Sequence, residues 1–378
     1  MDNAILLLEQ KKQNRTVKVK IKKGYAVYDK KWSVFGVRAI KDIINFVNSL
    51  HKQYNFIPLP ISFELGEIRF CDKLTYVLFE IICSILISEY KHNVYVKFNN
   101  SDTIFTKGIE SSPLLLLTTG EKEHIKKFEK KFEKEYYKNH YRRLLSLEDM
   151  EGDCLCKIMD EIAYFLNFFQ IKEEFISEIS EVIIELIGNV KEHAKTDCLV
   201  DIDVAPGYKK LNDDRSFYGL NIVVVNFSKE FFYSPLRRRL FDTELELSER
   251  HQKVFQAYCK HLSFFDGNYV EEDFFNIASF QHKISGNIDK SVTGGTGLTK
   301  LICSLEKSSD LHHCYMVSGN RQLLFLHEYM EYNEDKWLGF NEEKDFLNKK
   351  PNLRNCHKNE IIIPGTAYNL NFVMEGSN

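Results

Sequence analysis

The sequence has no apolar run long enough to cross a bilayer, since its densest stretch, Val77 to Ile87, is short and contains Glu80. It also lacks a secretion signal: Met1 to Gln10 has no basic region followed by an adequate apolar stretch. These two absences predict a cytoplasmic protein with no membrane partner. Metal-ligand spacing is missing as well. There are nine Cys but no Cys-x-x-Cys pair and no His-Glu-x-x-His. The nearest approaches are Cys154-Leu-Cys156, His312-His313-Cys314 and Cys356-His357. Cys83, Cys198 and Cys303 sit inside apolar segments, where a reduced thiol behaves as a small hydrophobe. Neither sign of charge dominates. The 51 Lys and Arg against 54 Asp and Glu leave a net charge of −3, which weighs against nucleic acid as the main partner. The best local basic candidate is Arg237-Arg238-Arg239, and such a run usually reads as a solvated face. Internal repeats and low-complexity tracts are absent.

The chain does have enough residues for more than one core, 378 in all, with 44% hydrophobic and 13% aromatic content, so disorder is not the default. The expected class is α+β. Val17, Val19 and Ile21 alternate with Lys18, Lys20 and Lys22, which predicts a strand with one wet face. Ile40, Ile43, Ile44 and Val47 have helical spacing. Ile61, Phe63, Leu65, Ile68 and Phe70 read as strand with a break at Gly66. Lys73 to about Ser88 reads as a buried helix and Val94 to Phe98 as a short strand, a βαβ-type signal.

The stretch Ile61 to Phe98 resembles a STAS domain, the fold of anti-sigma-factor antagonists, at Phe70-Cys71-Asp72, where a strand runs into a helix at an acidic residue. In that family hydroxyl residues follow the Asp and one is phosphorylated. Here Lys73 and Leu74 follow, with Thr75 one place further on, so the resemblance implies the fold without the phospho-switch. A charged segment, Glu121 to Arg143, reads as a solvated connecting helix without sustained heptads. The expected organisation is therefore a STAS-like α/β domain over residues 1–120, a charged helical linker over 121–148, and a second domain over 149–378.

The second domain carries the chemistry. From Ser177 to Ala194, Ile179, Val182, Ile183, Leu186 and Val190 form an apolar stripe, while Glu185, Asn189, Glu192 and His193 fall on another face. A carboxylate and an amide in one row suit a magnesium nucleotide, because Mg²⁺ takes few protein oxygens and leaves the rest to water and phosphate. The carboxylate could orient or deprotonate an attacking water. Next, Gly294-Gly295-Thr296-Gly297-Leu298 leads into a helical stripe of Leu298, Leu301, Ile302 and Leu305. Glycines before a helix let backbone N–H groups approach a phosphate, and Lys300 could reach one too. The Gly-Lys-Ser/Thr ending of a Walker A loop is absent. Finally, Gly365-Thr366 precedes Tyr368, Leu370 and Phe372, which alternate with Asn369 and Asn371 as a closing strand.

Glu185-Leu-Ile-Gly-Asn189-Val-Lys-Glu-His193 resembles the N box of the GHKL superfamily of histidine kinases, anti-sigma-factor kinases and gyrase-like ATPases. The run Gly294 to Leu298 resembles its second glycine box, with Thr299 in place of the last small residue, and Gly365-Thr366 resembles the third. The resemblance covers about residue 150 to the end. It implies a Bergerat α/β sandwich with a mixed sheet, ATP and Mg²⁺ as cofactors, Asn189 as the Mg²⁺ ligand and Glu185 as general base. It also implies that His193, Gly294, Gly295, Thr296, Gly297, Leu298, Lys300 and Thr366 face the nucleotide. The first glycine box departs from the pattern, because the strand Ile222 to Val225 ends in Asn226 where the family has an Asp that accepts from the adenine amino group. An amide oxygen can still accept that bond, with less charge assistance.

Residues 229–293 correspond to the family's lid and 330–360 to an insertion before the last strand. Tyr315 to Ser318 and Gln322 to Leu326 read as a hairpin around Gly319-Asn320. His124 and His140 are not followed by the Glu of a phosphoacceptor box, and His327-Glu328 lies after the hairpin, so a histidine autokinase is disfavoured. The leading expectation is an ATPase-type regulatory switch acting on a protein partner through the lid or the N-terminal domain. A Ser/Thr kinase of anti-sigma type and an inert nucleotide-binding scaffold are the alternatives, and a homodimer is compatible with the sequence.

Overall fold

The computed structural model describes residues 1, 3–9, 17–100, 112–152, 154–208, 217–285, 297–308 and 314–375. The class is α+β. The first sheet contains β1 (Lys20–Lys22), β2 (Tyr25–Tyr28), β3 (Val34–Phe35), β4 (Ile61–Phe70) and β5 (Val94–Asn100). β1 and β2 form an antiparallel hairpin whose connecting residues, Lys23 and Gly24, have φ of 49° and 81°. Positive φ at both central positions gives the turn the twist of the flanking strands. β2, β3 and β5 all run parallel to β4, so this sheet is mixed. Parallel neighbours need crossovers, supplied by α1 (Val37–Tyr54) before β4 and α2 (Lys73–Ser88) after it. The predicted break at Gly66 is a register shift inside a continuous strand: Gly66 has φ of 71°, and the stem of Lys31 lies against it.

The charged segment is not helical throughout. α3 (Lys122–Glu133) is followed by β6 (Lys134–Tyr137) and β7 (His140–Leu145). α3 buries Ile125, Phe128 and Phe132, spaced three and four apart, while its Lys and Glu face water. β6 is the outermost strand of its sheet, where Lys134 stays exposed and the buried Glu135 takes Lys131 as its partner at 2.9 Å. Charge density therefore disguised two strands as a linker.

The remaining elements are α4 (Cys154–Asn167), α5 (Glu173–Asn189), β8 (Cys198–Tyr208), β9 (Phe217–Phe227), α6 (Ser234–Phe241), α7 (Glu249–His261), α8 (Glu271–Ser279), α9 (Gly297–Ser308), β10 (Tyr315–Leu324) and β11 (Cys356–Glu375). The second sheet has the order β10-β11-β9-β8-β7-β6, and every pairing in it is antiparallel. The mixed sheet expected here is thus the N-terminal one. The expected hairpin at Gly319-Asn320 is instead one strand, β10, running beside β11 with a bulge. Gly319 has φ of 60°, and the ladder shifts register on either side of it.

Alternation splits the second sheet into two buried faces. Val200, Ile202, Ile222, Val224, Leu370 and Phe372 face the core beneath α4, α5 and α9. Leu199, Val223, Val225, Val317 and Ala367 join α1, α2 and α3 in the other core. α1 and α2 therefore touch both sheets, and α2 is buried along nearly its whole length. The segments around α6 to α8 and 330–350 pack on each other. Arg321 pairs with the buried Asp273, His261 Nε2 lies 3.0 Å from the Phe346 carbonyl, and the Arg250 guanidinium stands 3.9 Å above the Trp337 ring. The described part of residues 229–293 is thus three helices around an aromatic core.

Candidate functional site

α5 behaves as its stripe predicts. Ile179, Val182, Ile183, Leu186 and Val190 are buried, while Glu185 and Asn189 are half-buried on a second face. The α-helix stops at Asn189, and Val190–Ala194 winds as a π-turn that ends at Lys195, with φ of 51°. Such turns re-aim the side chains that follow and concentrate at functional positions. Glu192 and His193 lie on this turn, half-buried, rather than on a continued α-helical row. The Asn189 amide nitrogen is buried and accepted by no atom of the described residues. α5 and the π-turn pack on β9.

β9 ends beside the last strand so that two separate sequence signals meet. Asn226 is the ladder partner of Thr366 on one side and of Cys198 on the other. Its amide nitrogen lies 3.4 Å from the Thr196 hydroxyl. Gly365 has φ of 102°, and a Cβ there would run into the Asn226 carbonyl and come within 2.8 Å of the Ser228 nitrogen. Only glycine lets these two strand ends approach so closely. The Ser228 N–H donates to the Pro364 carbonyl at 3.1 Å and closes the corner.

α9 begins at Gly297, and Leu298 packs against the core below it. Gly294, Gly295 and Thr296 lie outside the described residues, as do His312 and His313. Lys300 reaches Glu181 on α5 at 2.8 Å. That hydrogen bond raises the ammonium above its usual value, and Glu185 adds to the field. Ser304 donates to Glu178 at 2.6 Å, and a cleft of about 440 Å³ runs between the two helices.

Asp72, the acidic residue before α2, is committed to structure. Asp72 caps α2, accepting from the Thr75 N–H at 2.8 Å and the Thr75 hydroxyl at 2.6 Å, and it also accepts from the Tyr315 hydroxyl at 2.8 Å. Thr75 is buried, so it offers no accessible hydroxyl.

A polar cluster beneath α2 escaped sequence reasoning. Lys73 pairs with Asp201 and Asp203, Arg142 pairs with Glu80 and Asp201, and the Tyr76 hydroxyl donates to Asp203 at 2.5 Å. His140 Nε2 lies 3.0 Å from Asp201. None of these side chains reaches solvent. Burial pushes Glu80 up, and Arg142 only partly offsets it. Burial also acts upward on Asp201, but Arg142, Lys73 and His140 together hold it well below the usual carboxylate range. His140, Asp201 and Asp203 bring ligand-type atoms within 4.8 Å of one another. The Lys73 ammonium already sits against both aspartates, so the cation there is supplied by the chain. The sequence signal was alternation in β7, β8 and β11, where His140 and Arg142, Asp201 and Asp203, and Asn369 and Asn371 each occupy every second position and read as wet faces. The basic run also changes character. Arg237 pairs with Glu271 at 3.1 Å, Arg238 pairs with Glu230 at 2.6 Å, and the buried Arg239 donates to the Ser285 carbonyl at 2.8 Å.

No protein-family model matches this chain, and neither the curated proteins nor the solved structures contain a match, so a functional reading rests on these residues and their register.

Proposed function

We propose that the chain is an ATP-binding protein of the GHKL type, with a Bergerat-like C-terminal module and a STAS-like N-terminal unit. In this reading it works as a Mg²⁺-dependent ATPase-type switch that acts on a protein partner. The observation that carries it is the meeting of Asn226 and Thr366 as direct ladder neighbours, with Gly365 demanded by the close approach and with α5 packed on the same strand. Two motifs 140 positions apart in the sequence, residues 226 and 366, would then line one end of a base-binding site. The Asn189 amide nitrogen, a donor with no acceptor among the described residues, fits an oxygen of a ligand, and the amide oxygen would be the atom that faces Mg²⁺.

In this reading Asn189 would hold Mg²⁺, which supplies charge neutralisation for the phosphates when bound. Asn226 accepts from the base, Thr366 borders it, and Glu185 orients or deprotonates the attacking water. Glu185 is half-buried, so its carboxylate would stand apart from bulk solvent while still open to a ligand. Lys300, held by Glu181, would exchange that partner for a phosphate.

Calorimetric titration of Mg-ATP, with GTP and ADP beside it, tests the reading. Asn189→Ala is expected to abolish Mg-nucleotide binding. Glu185→Ala is expected to keep binding and stop turnover. Unchanged ATP binding by Asn189→Ala would remove α5 from the site. An absence of nucleotide binding in the wild type would refute the proposal.

A further inference from the structure

We propose that the β1–β2 hairpin is a docking surface for the sugar–phosphate backbone of a nucleic acid. The near-neutral total charge hides a local concentration. From Val17 to Lys31 the chain carries six Lys (18, 20, 22, 23, 30 and 31) and one acid, Asp29. All six are exposed. Lys22 lies 3.5 Å from Asp29 and Lys30 lies 3.0 Å from Asp42. Lys18, Lys20, Lys23 and Lys31 have no carboxylate partner among the described residues. The contrast with Arg237, Arg238 and Arg239 is instructive, because each of those cations is already satisfied within the protein.

Geometry turns the count into a surface. The segment before and through β1 is extended and pinned to α1, with the Val17 N–H donating to the Ser49 hydroxyl at 2.9 Å. Val19 is buried, so Lys18, Lys20 and Lys22 share the opposite face. Their stems recur every two residues, roughly 6.6 Å apart, a repeat close to that of successive phosphates along a nucleic-acid strand. The tight turn at Lys23-Gly24 brings a further ammonium to the tip. Tyr25, the ladder partner of Lys22, leaves 41% of its surface exposed beside this row, which suits stacking by an unpaired base. The exposed Val17 and Ile21 fall on the other face by the same alternation. Tyr25 is thus the one exposed apolar side chain beside the lysines, short of the continuous apolar face by which a helix or strand inserts into a lipid surface.

A short lysine-bearing edge strand also prevents sheet-to-sheet pairing. Charge reversal separates the two roles, since glutamates keep the edge charged and destroy anion affinity. The experiment is fluorescence anisotropy of the full chain with a labelled oligonucleotide, single-stranded and as duplex, over a salt series. The expected result for the wild type is binding whose logarithm falls linearly with the logarithm of salt. Lys18→Glu/Lys20→Glu/Lys22→Glu should weaken binding at least tenfold and reduce the salt slope by roughly 2–3. Arg238→Glu should leave it unchanged. Tyr25→Ala should weaken single-strand binding more than duplex binding if the base stacks, and equal loss would assign contact to the backbone alone. All the substituted residues are exposed, and circular dichroism melts verify that the variants fold. No binding at low salt, equal binding by wild type and triple variant, or tighter capture of the chain by anionic vesicles than by oligonucleotide would each overturn the proposal.

Discussion

At Gly365 a single missing methyl group decides whether two strand ends can touch. Its φ of 102° lies where side chains other than hydrogen are strained, and a Cβ would meet the Asn226 carbonyl. Gly365→Ala is expected to cost about 1–3 kcal/mol or more from backbone strain alone, read as a lower midpoint in urea denaturation. It should also weaken nucleotide binding beyond what the lost stability explains, because Asn226 is displaced. Unchanged stability would show that the corner relaxes and that the close approach is not a constraint. His51 and His92 make a second residue-scale case. Their Nε2 atoms lie 3.1 Å apart, and His92 Nδ1 faces the Leu59 carbonyl at 2.7 Å. Burial, then the neighbouring His92, pushes His51 down to about 4, and burial lowers His92 as well. A depressed histidine favours the fold while neutral. Its contribution is therefore present above pH about 6.5 and is lost as pH falls toward about 4. Thermal midpoints across that window should fall more steeply for the wild type than for His51→Gln, and parallel curves would dismiss the pair as a source of acid sensitivity.

Among the elements, α2 depends most on tertiary context. Its limits, Lys73 to Ser88, were readable from apolar density, but the sequence gives no reason for a lysine, a tyrosine and a glutamate inside such a helix. The sheet beneath supplies it, since each of the three meets a polar partner from β7 or β8. Buried ion pairs contribute little net stability against apolar replacements of the same shape, yet removing one partner strands the others. Lys73→Met is expected to destabilise by about 3–5 kcal/mol, because Asp201 and Asp203 lose a shared cation. Adding Asp203→Asn should recover part of that loss, and a double-mutant cycle in urea reads the coupling. Additive effects would mean that the ammonium and the carboxylate are not in contact. The network also explains a preferred register, because sliding α2 by one turn would part Lys73, Tyr76 and Glu80 from their partners in the sheet.

The whole molecule follows from both faces of the second sheet being covered. α1, α2 and α3 fill one face and α4, α5 and α9 the other, so the N-terminal unit is packed as core rather than appended. A fragment beginning at residue 121 would expose Asp201, Asp203, Arg142 and the apolar residues around them. It is expected to aggregate or to lack a cooperative melt, checked by size-exclusion chromatography and calorimetry, and a monomeric fragment with the wild-type midpoint would show the units to be independent. Periodicity made α1, α5, β9 and the end of β11 legible, because spacing follows from which side of an element meets a core, and apolar density did the same for α2. It failed where polar residues alternate, since a wet face and a face satisfied by another element look alike in one dimension. The sequence alone determined the α+β class, the amphipathic α5 with Glu185 and Asn189 off its apolar stripe, and the buried extent of α2. Only the tertiary structure decided that Asn226 faces Thr366, that the charged segment supplies two strands, and that Arg237 to Arg239 are satisfied while Lys18, Lys20, Lys23 and Lys31 have no carboxylate partner among the described residues. Each of these depends on which distant groups arrive as partners, and partnership between distant residues is set by packing.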